Sequence, residues 1–137
     1  MSLTTIDLDS LELVEAWSKA DQSQRVSFNF AVSAETGAPA SSVAYAEIAP
    51  GGGIPLHFDS ANECDLILEG ELEYELEDGT KSIGPGVLIQ IPAETKHRVS
   101  NRGGSPARVV FFFDSAKDVV TFDDPLMPMD ATALGAD

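Results

Sequence analysis

The chain has 137 residues, with 23 acidic side chains against 8 lysines and arginines, a formal net charge of −15 and 43% hydrophobic residues. That length is one domain's worth, and the hydrophobic share is enough for one sizeable core. The charge excludes DNA, RNA and an anionic membrane surface as principal partners, because each would be repelled.

The longest apolar run, Val109 to Phe113, is far short of the about 20 residues that a transmembrane span needs. The opening MSLTTIDLDS has no basic region followed by an apolar one, so no secretory signal is expected. The lone cysteine, Cys64, excludes an intramolecular disulfide, and a cytoplasmic location is the expectation.

In chain order, Asp9-Ser10-Leu11-Glu12 has the form of a capping box, and Leu11, Val14 and Trp17 share a helical face. A short helix over about residues 10–19 is predicted. After Asp21 short apolar or alternating runs take over, separated by turn residues. Strands are predicted at Val26–Val32, Ser42–Ile48, Ile54–Asp59, Glu63–Leu68 and Glu71–Leu76. Asp78-Gly79 is the strongest hairpin signal, with Lys81-Ser82-Ile83 on its far side. Val87–Ile91 reads as a buried strand, followed by His97–Ser100, Arg108–Phe113 and a short strand at Val119–Phe122. The last residues either wrap around the body or fray. The expected organisation is an N-terminal segment with its helix (1–24), an all-β barrel (25–115) and a C-terminal extension (116–137). Many short strands without βαβ alternation point to a closed antiparallel jelly roll.

The chain holds only two histidines, His57 and His97. His57 and Asp59 are two apart on a strand, so their side chains share a face. Ser60-Ala61-Asn62 makes a turn, and Glu63 opens the next strand, expected beside the first. A second strand runs through Pro92 into a turn from which His97 starts the return. If the barrel's inward faces meet, His57, Asp59, Glu63 and His97 converge on one ion. Imidazole with carboxylate suits iron, manganese, zinc or nickel rather than a thiolate-loving ion.

These positions fall in two spaced patterns. Gly51, His57, Asp59, Glu63 and Gly70 stand as G-x5-H-x-D-x3-E-x6-G, and Gly86, Pro92, Glu94, His97 and Asn101 as G-x5-P-x-E-x2-H-x3-N. The sequence resembles the cupin superfamily, whose first motif has histidine where Asp59 stands and whose second has glycine where Glu94 stands. The resemblance implies a single conserved jelly-roll barrel, usually dimeric, with one divalent metal held inside it at positions 57, 59, 63 and 97. Aspartate is shorter than histidine. Asp59 therefore either completes a set of two histidines and two carboxylates, or leaves His57, Glu63 and His97 as a facial triad and acts through water. Some cupins have no ion and serve as scaffolds or sugar binders. Both histidines on ligand positions favour the metal.

Asp65, two past Glu63, should face the same way and is a candidate general base with Glu63, unless strand twist carries it to the rim. Phe58 and Cys64 alternate away from the ligand face, Cys64 as a small buried or edge hydrophobe. Glu94 should be solvated. Phe111 and Phe113 are the inward members of their run by alternation with Val109, while Phe28, Phe30 and Tyr45 are core or dimer interface. Arg98 turns outward, and Arg102 is a candidate anion holder. The resemblance implies a homodimer acting on a small molecule without nucleic acid or membrane. The favoured activity is a dioxygenase-like oxidoreductase. The alternatives are a cupin isomerase, epimerase or cyclase, a non-enzymatic small-molecule binder, and a metal-free structural dimer.

Overall fold

The computed structural model describes residues 3–136. Period-two alternation governs nearly all of them. The strands are β1 (Val14–Ser18), β2 (Arg25–Val32), β3 (Ser42–Ile48), β4 (Gly53–Asp59), β5 (Glu63–Glu69) and β6 (Leu72–Leu76). They are followed by β7 (Gly79–Ile83), β8 (Leu88–Ile91), β9 (His97–Ser100), β10 (Ala107–Phe113), β11 (Val119–Met127) and β12 (Ala131–Gly135). All pairings are antiparallel, in the order β7-β6-β9-β4-β11-β1-β2-β3-β10-β5-β8, with β12 added on β11.

That order explains the shape. β4 and β5 are joined by three residues, yet β4 pairs with β9 and β11 whereas β5 pairs with β10 and β8. So short a connection between strands far apart along the sheet requires the sheet to curl until its two halves face each other. Glu63 is therefore not on a strand hydrogen-bonded to that of His57, as the sequence suggested, but across the interior from it. The core between the halves holds Ala46, Ile48, Ile67, Leu72, Val99 and Val109, all almost fully buried. A smaller cluster of Ala16, Phe122 and Leu126 continues it at one side.

The predicted N-terminal helix does not form. Among the described residues helical structure is limited to two 3-10 turns, the first at Leu8–Ser10 with Asp7 accepting a hydrogen bond from the Asp9 N–H. Residues 14–18 extend instead between β2 and β11. Ladder pairing outweighs helical periodicity here. Ala16 and Ser18 turn inward, while on the other face Glu15 pairs with the Arg25 guanidinium, which also lies 4.5 Å from the Trp17 ring centre. Val87–Ile91 is likewise not a buried strand. β8 ends the sheet, and Val87 and Leu88 are exposed. The hairpin turn falls on Glu77-Asp78, with Gly79 already paired to Leu76. The described C-terminal residues wrap back instead of fraying: β12 folds onto an extended β11. Cys64 is exposed on a strand flanked on both sides, neither buried nor at an edge.

Two glycines show why their positions admit no side chain. Gly70 has φ of 83°, and a Cβ there would sit 2.7 Å from the Pro106 carbonyl oxygen. Gly53 would place a Cβ 2.4 Å from the Val99 carbonyl oxygen. Asn101 ties the barrel's lower end. Its side-chain NH2 donates to the Ile48 and Ser105 carbonyls at 2.9 Å, and its carbonyl oxygen accepts from the Gly103 N–H at 3.0 Å.

Candidate metal centre

His57 and His97 are directly opposed across the β4–β9 ladder, with ring centres 4.2 Å apart. The β4–β9 register shifts between Ile54 and His57, within a stretch that includes Pro55. Proline has no N–H to give a ladder, so an irregularity there costs little. The Pro55 carbonyl lies 2.7 Å from His57 Nδ1, and the Thr95 carbonyl lies 2.9 Å from His97 Nδ1. A carbonyl only accepts, so Nδ1 carries the proton in both rings. Each Nε2 is left with its lone pair directed inward, the state a metal ligand needs.

The carboxylates meet those lone pairs. Asp59 Oδ2 is 3.7 Å from His57 Nε2, and Glu63 Oε1 is 3.5 Å from His97 Nε2. One ligand atom from each of His57, Asp59, Glu63 and His97 lies within 4.8 Å of all the others, and all four residues are buried. Burial pushes the Asp59 carboxyl up to about 8. Burial, and after it the charge of Asp65, holds Glu63 well above the carboxylate range. Burial, and after it the neighbouring His97, lowers His57 to about 3, and burial lowers His97 too.

These donors fit a divalent ion. Asp59 Oδ1 and Glu63 Oε1 are buried without any hydrogen-bond partner. Unprotonated imidazole nitrogens face carboxyl groups that burial keeps protonated in the metal-free chain, and a cation between them would take the place of those protons. Donor atoms held about 2.0–2.2 Å from one ion lie roughly 3–4 Å from each other, which the 3.5 and 3.7 Å imidazole–carboxylate separations match. Two imidazoles with two carboxylates suit iron, manganese, zinc or nickel and balance a double positive charge.

Residues the sequence did not single out build the support. Asp118 is fully buried. It accepts from the Ala61 N–H at 3.0 Å and from the Ser60 hydroxyl at 3.4 Å, fixing the turn between Asp59 and Glu63. Asp114 holds the same turn through the Asn62 N–H and side-chain NH2, and Asn62 Oδ1 accepts from the Ala93 N–H at 2.9 Å. Nothing in the spacing of Asp114 or Asp118 pointed to this. Tyr74 donates its hydroxyl to Asp65 Oδ2 at 2.8 Å. Its inward position follows from the Leu72-Tyr74 alternation.

Asp65 is fully buried rather than carried to the rim, and burial raises its carboxyl to about 6. It stands behind Glu63 and is not part of the cavity wall. Glu94 is exposed as expected but takes φ of 64°, the reason a glycine suits this turn, and its N–H donates to the Asp59 carbonyl at 2.8 Å. Arg98 and Arg102 point outward to Glu75 and Glu73. Phe111 and Phe113 face inward and Phe112 outward.

The cluster opens onto an apolar cavity of about 70 Å³. Phe28, Phe30, Phe111, Phe113, Phe122 and Leu134 form much of its wall, while His57, Asp59 and Glu63 supply its polar end.

A curled antiparallel barrel with inward histidines and carboxylates defines a class, and comparison with known proteins agrees. The family model described as "Cupin domain" matches residues 44–113, slightly more than half of the chain, and the chain belongs to that family. Among solved structures, a putative sugar phosphate isomerase from Acidithiobacillus ferrooxidans is similar at 18% identity and a TM-score of 0.67, over 88% of this chain and 80% of that one. The polyketide cyclase RemF from Streptomyces resistomycificus is similar at 21% identity and a TM-score of 0.68, over 82% and 79%. At these identities the likeness is one of fold. A recombinant oxalate oxidase in complex with glycolate is 25% identical with a TM-score of 0.57, over 61% of this chain and 46% of its own length. A search of curated protein sequences found no match. No helix among the described residues is long and apolar enough to cross a membrane.

Proposed function

We propose that the protein is a metal-dependent cupin enzyme acting on a small organic molecule, with a dioxygenase-like oxidation as its reaction. His57, Asp59, Glu63 and His97 would hold one divalent ion. The observation that carries this is the pair of Nδ1–H donors fixed on the Pro55 and Thr95 carbonyls, which leaves two Nε2 lone pairs facing buried carboxylates. When bound, the ion supplies a Lewis acid and, if redox-active, a partner for dioxygen. The protein's own part is to hold the ligands, exclude water through the aromatic wall and move a proton. Glu63, backed by Asp65, is the proton acceptor in this reading, and Tyr74 fixes Asp65.

A second reading, isomerisation or cyclisation, draws on the same Glu63–Asp65–Tyr74 group, because acid–base chemistry needs no oxidant. In both readings the protein works in the cytoplasm as a homodimer on a small-molecule substrate, without a nucleic acid or membrane partner.

Elemental analysis of untagged protein after metal loading tests the core of the proposal. About one equivalent of iron, manganese, zinc or nickel is expected, and below about a tenth of an equivalent the enzyme reading fails. Oxygen uptake by the iron(II)-loaded protein with diketones and thiols separates the two activities. Substrate turnover without oxygen consumption would move the assignment to the isomerase or cyclase reading.

A further inference from the structure

We propose that the cavity takes an uncharged, largely apolar organic molecule about the size of one substituted aromatic ring, entering with a hydroxyl-type donor toward Asp59 and Glu63. This deepens the proposed function and rests on the site being a small-molecule centre.

Charge carries the argument first. The 8 lysines and arginines all lie among the described residues, and none lines the cavity. Arg98, Arg102 and Lys96 are held on the outer surface by Glu75, Glu73 and Asp123, and Arg108 by Asp9 and Glu69. A phosphate or carboxylate substrate would be buried beside Asp59 and Glu63 with no side-chain cation to receive it, and the charge of a divalent ion held there is already balanced by those two carboxylates. Burying an unpaired charge is among the costliest steps a binding site can take.

The wall and the polar end complete the argument. Phe28, Phe30, Phe111, Phe113 and Phe122 offer carbon only, and ring faces and edges pack well against another ring. In the metal-free chain Asp59 Oδ1 and Glu63 Oε1 are acceptors without donors, so a hydroxyl of the ligand satisfies what the protein leaves open. The volume of about 70 Å³ is roughly half that of a cavity that encloses a benzene, about 150 Å³, so one ring fills it and reaches into the mouth, and an oligosaccharide or a polycycle does not fit. Phe28, Phe30 and Leu134 line the cavity but are only partly buried, so the space communicates with solvent on the β2 and β12 side.

Calorimetric titration of the full chain at neutral pH, metal-loaded and chelator-treated, tests this with two probes of one shape, p-cresol and 4-methylbenzoate. Binding of p-cresol is expected in both states, with roughly tenfold or weaker affinity for the carboxylate. Ala46→Phe fills the cavity and should remove p-cresol binding. Leu134→Trp, at a partly exposed position, keeps the test alive if the first variant does not fold, and should weaken binding roughly tenfold. Equal or tighter binding of 4-methylbenzoate, no binding of p-cresol, or unchanged binding in the folded variants would overturn the inference. Loss of metal uptake with p-cresol selectivity intact would support it and remove only the metal reading.

Discussion

At one end of the cavity His57, Asp59, Glu63 and His97 bring ligand atoms within 4.8 Å of each other, and at the other Phe28, Phe30, Phe111, Phe113 and Phe122 present only carbon. The two ends are held in different ways. The polar end is fixed by directed bonds: Pro55 and Thr95 carbonyls on the imidazoles, Asp118 and Asp114 on the turn, Tyr74 on Asp65. The wall is held by side-chain packing, with the Phe30 and Phe113 ring centres 6.2 Å apart. A change at the polar end should therefore alter ion affinity, proton uptake and stability in separable ways, whereas a change in the wall should alter what fits.

The largest effect expected is on the ion. His97→Ala and His57→Ala each remove one inward lone pair from a site that has only two imidazoles. Metal retained after dialysis should fall by more than the roughly 10–100-fold that loss of a mere supporting partner brings. Asp59→Ala should cost less, because a shorter side chain is the one able to act through water. Equal losses in all three variants, read by elemental analysis, would make Asp59 a ligand of the same rank as the histidines.

That polar end was legible in the sequence for a physical reason. Ligands on one strand must be two apart, and the turn between them must be short, so His57-x-Asp59 and Glu63 carry their geometry in their spacing. What the spacing could not say was which strands are neighbours. Glu63 looks adjacent to His57 along the chain, but β5 lies across the interior, and the true neighbour of His57 is His97. The wall was only partly legible. Phe111 and Phe113 follow from alternation with Val109, but Phe122, Leu126 and Leu134 come from β11 and β12, whose return onto β4 and β11 no local signal announces. The helix expected over 10–19 shows the same limit. Leu11, Val14 and Trp17 suit a helix in isolation, and only the partners on β2 and β11 make the segment a strand.

Tyr74→Phe is the next test of the directed bonds. It leaves Asp65 Oδ2 without its donor in a fully buried position, where Asp65 Oδ1 already has none. The expected loss is about 1–3 kcal/mol in denaturant unfolding. A loss within error would mean that Asp65 is already neutral and satisfied by Glu63.

Acidity separates the ends further. The folded pKa of Asp59 is raised from 3.8 to about 8 and that of Glu63 is raised as well. The folded metal-free chain therefore binds more protons than the unfolded chain across that window, and its stability falls as pH rises through it. The histidines act oppositely. With His57 lowered from 6.5 to about 3, they favour folding as pH rises, but only up to about 6.5. Between about pH 6.5 and 8 the carboxyls act alone, and the melting temperature of metal-free protein should drop by at least ~5 °C, equivalent to about 1.5–2 kcal/mol. Metal-loaded protein, its carboxylates already ionised against the cation, should stay flat. Parallel slopes with and without metal would place the titrating groups elsewhere.

The smallest effect concerns Glu94, where the pattern's usual glycine is missing. Its φ of 64° puts an L side chain in the left-handed region, at a cost of roughly 1–2 kcal/mol. Glycine there removes that strain but adds freedom to the unfolded chain, which returns about 0.4–1 kcal/mol. Glu94→Gly should thus raise stability by about 0.5 kcal/mol. The Glu94 side chain is exposed and makes no hydrogen bond that the change would break, and the N–H that donates to the Asp59 carbonyl belongs to the backbone and is retained. Metal affinity should stay within about twofold, since the end of β4 keeps its anchor. A variant that gains stability but loses the ion would show that the carboxylate at 94 contributes charge to the polar end from outside the barrel.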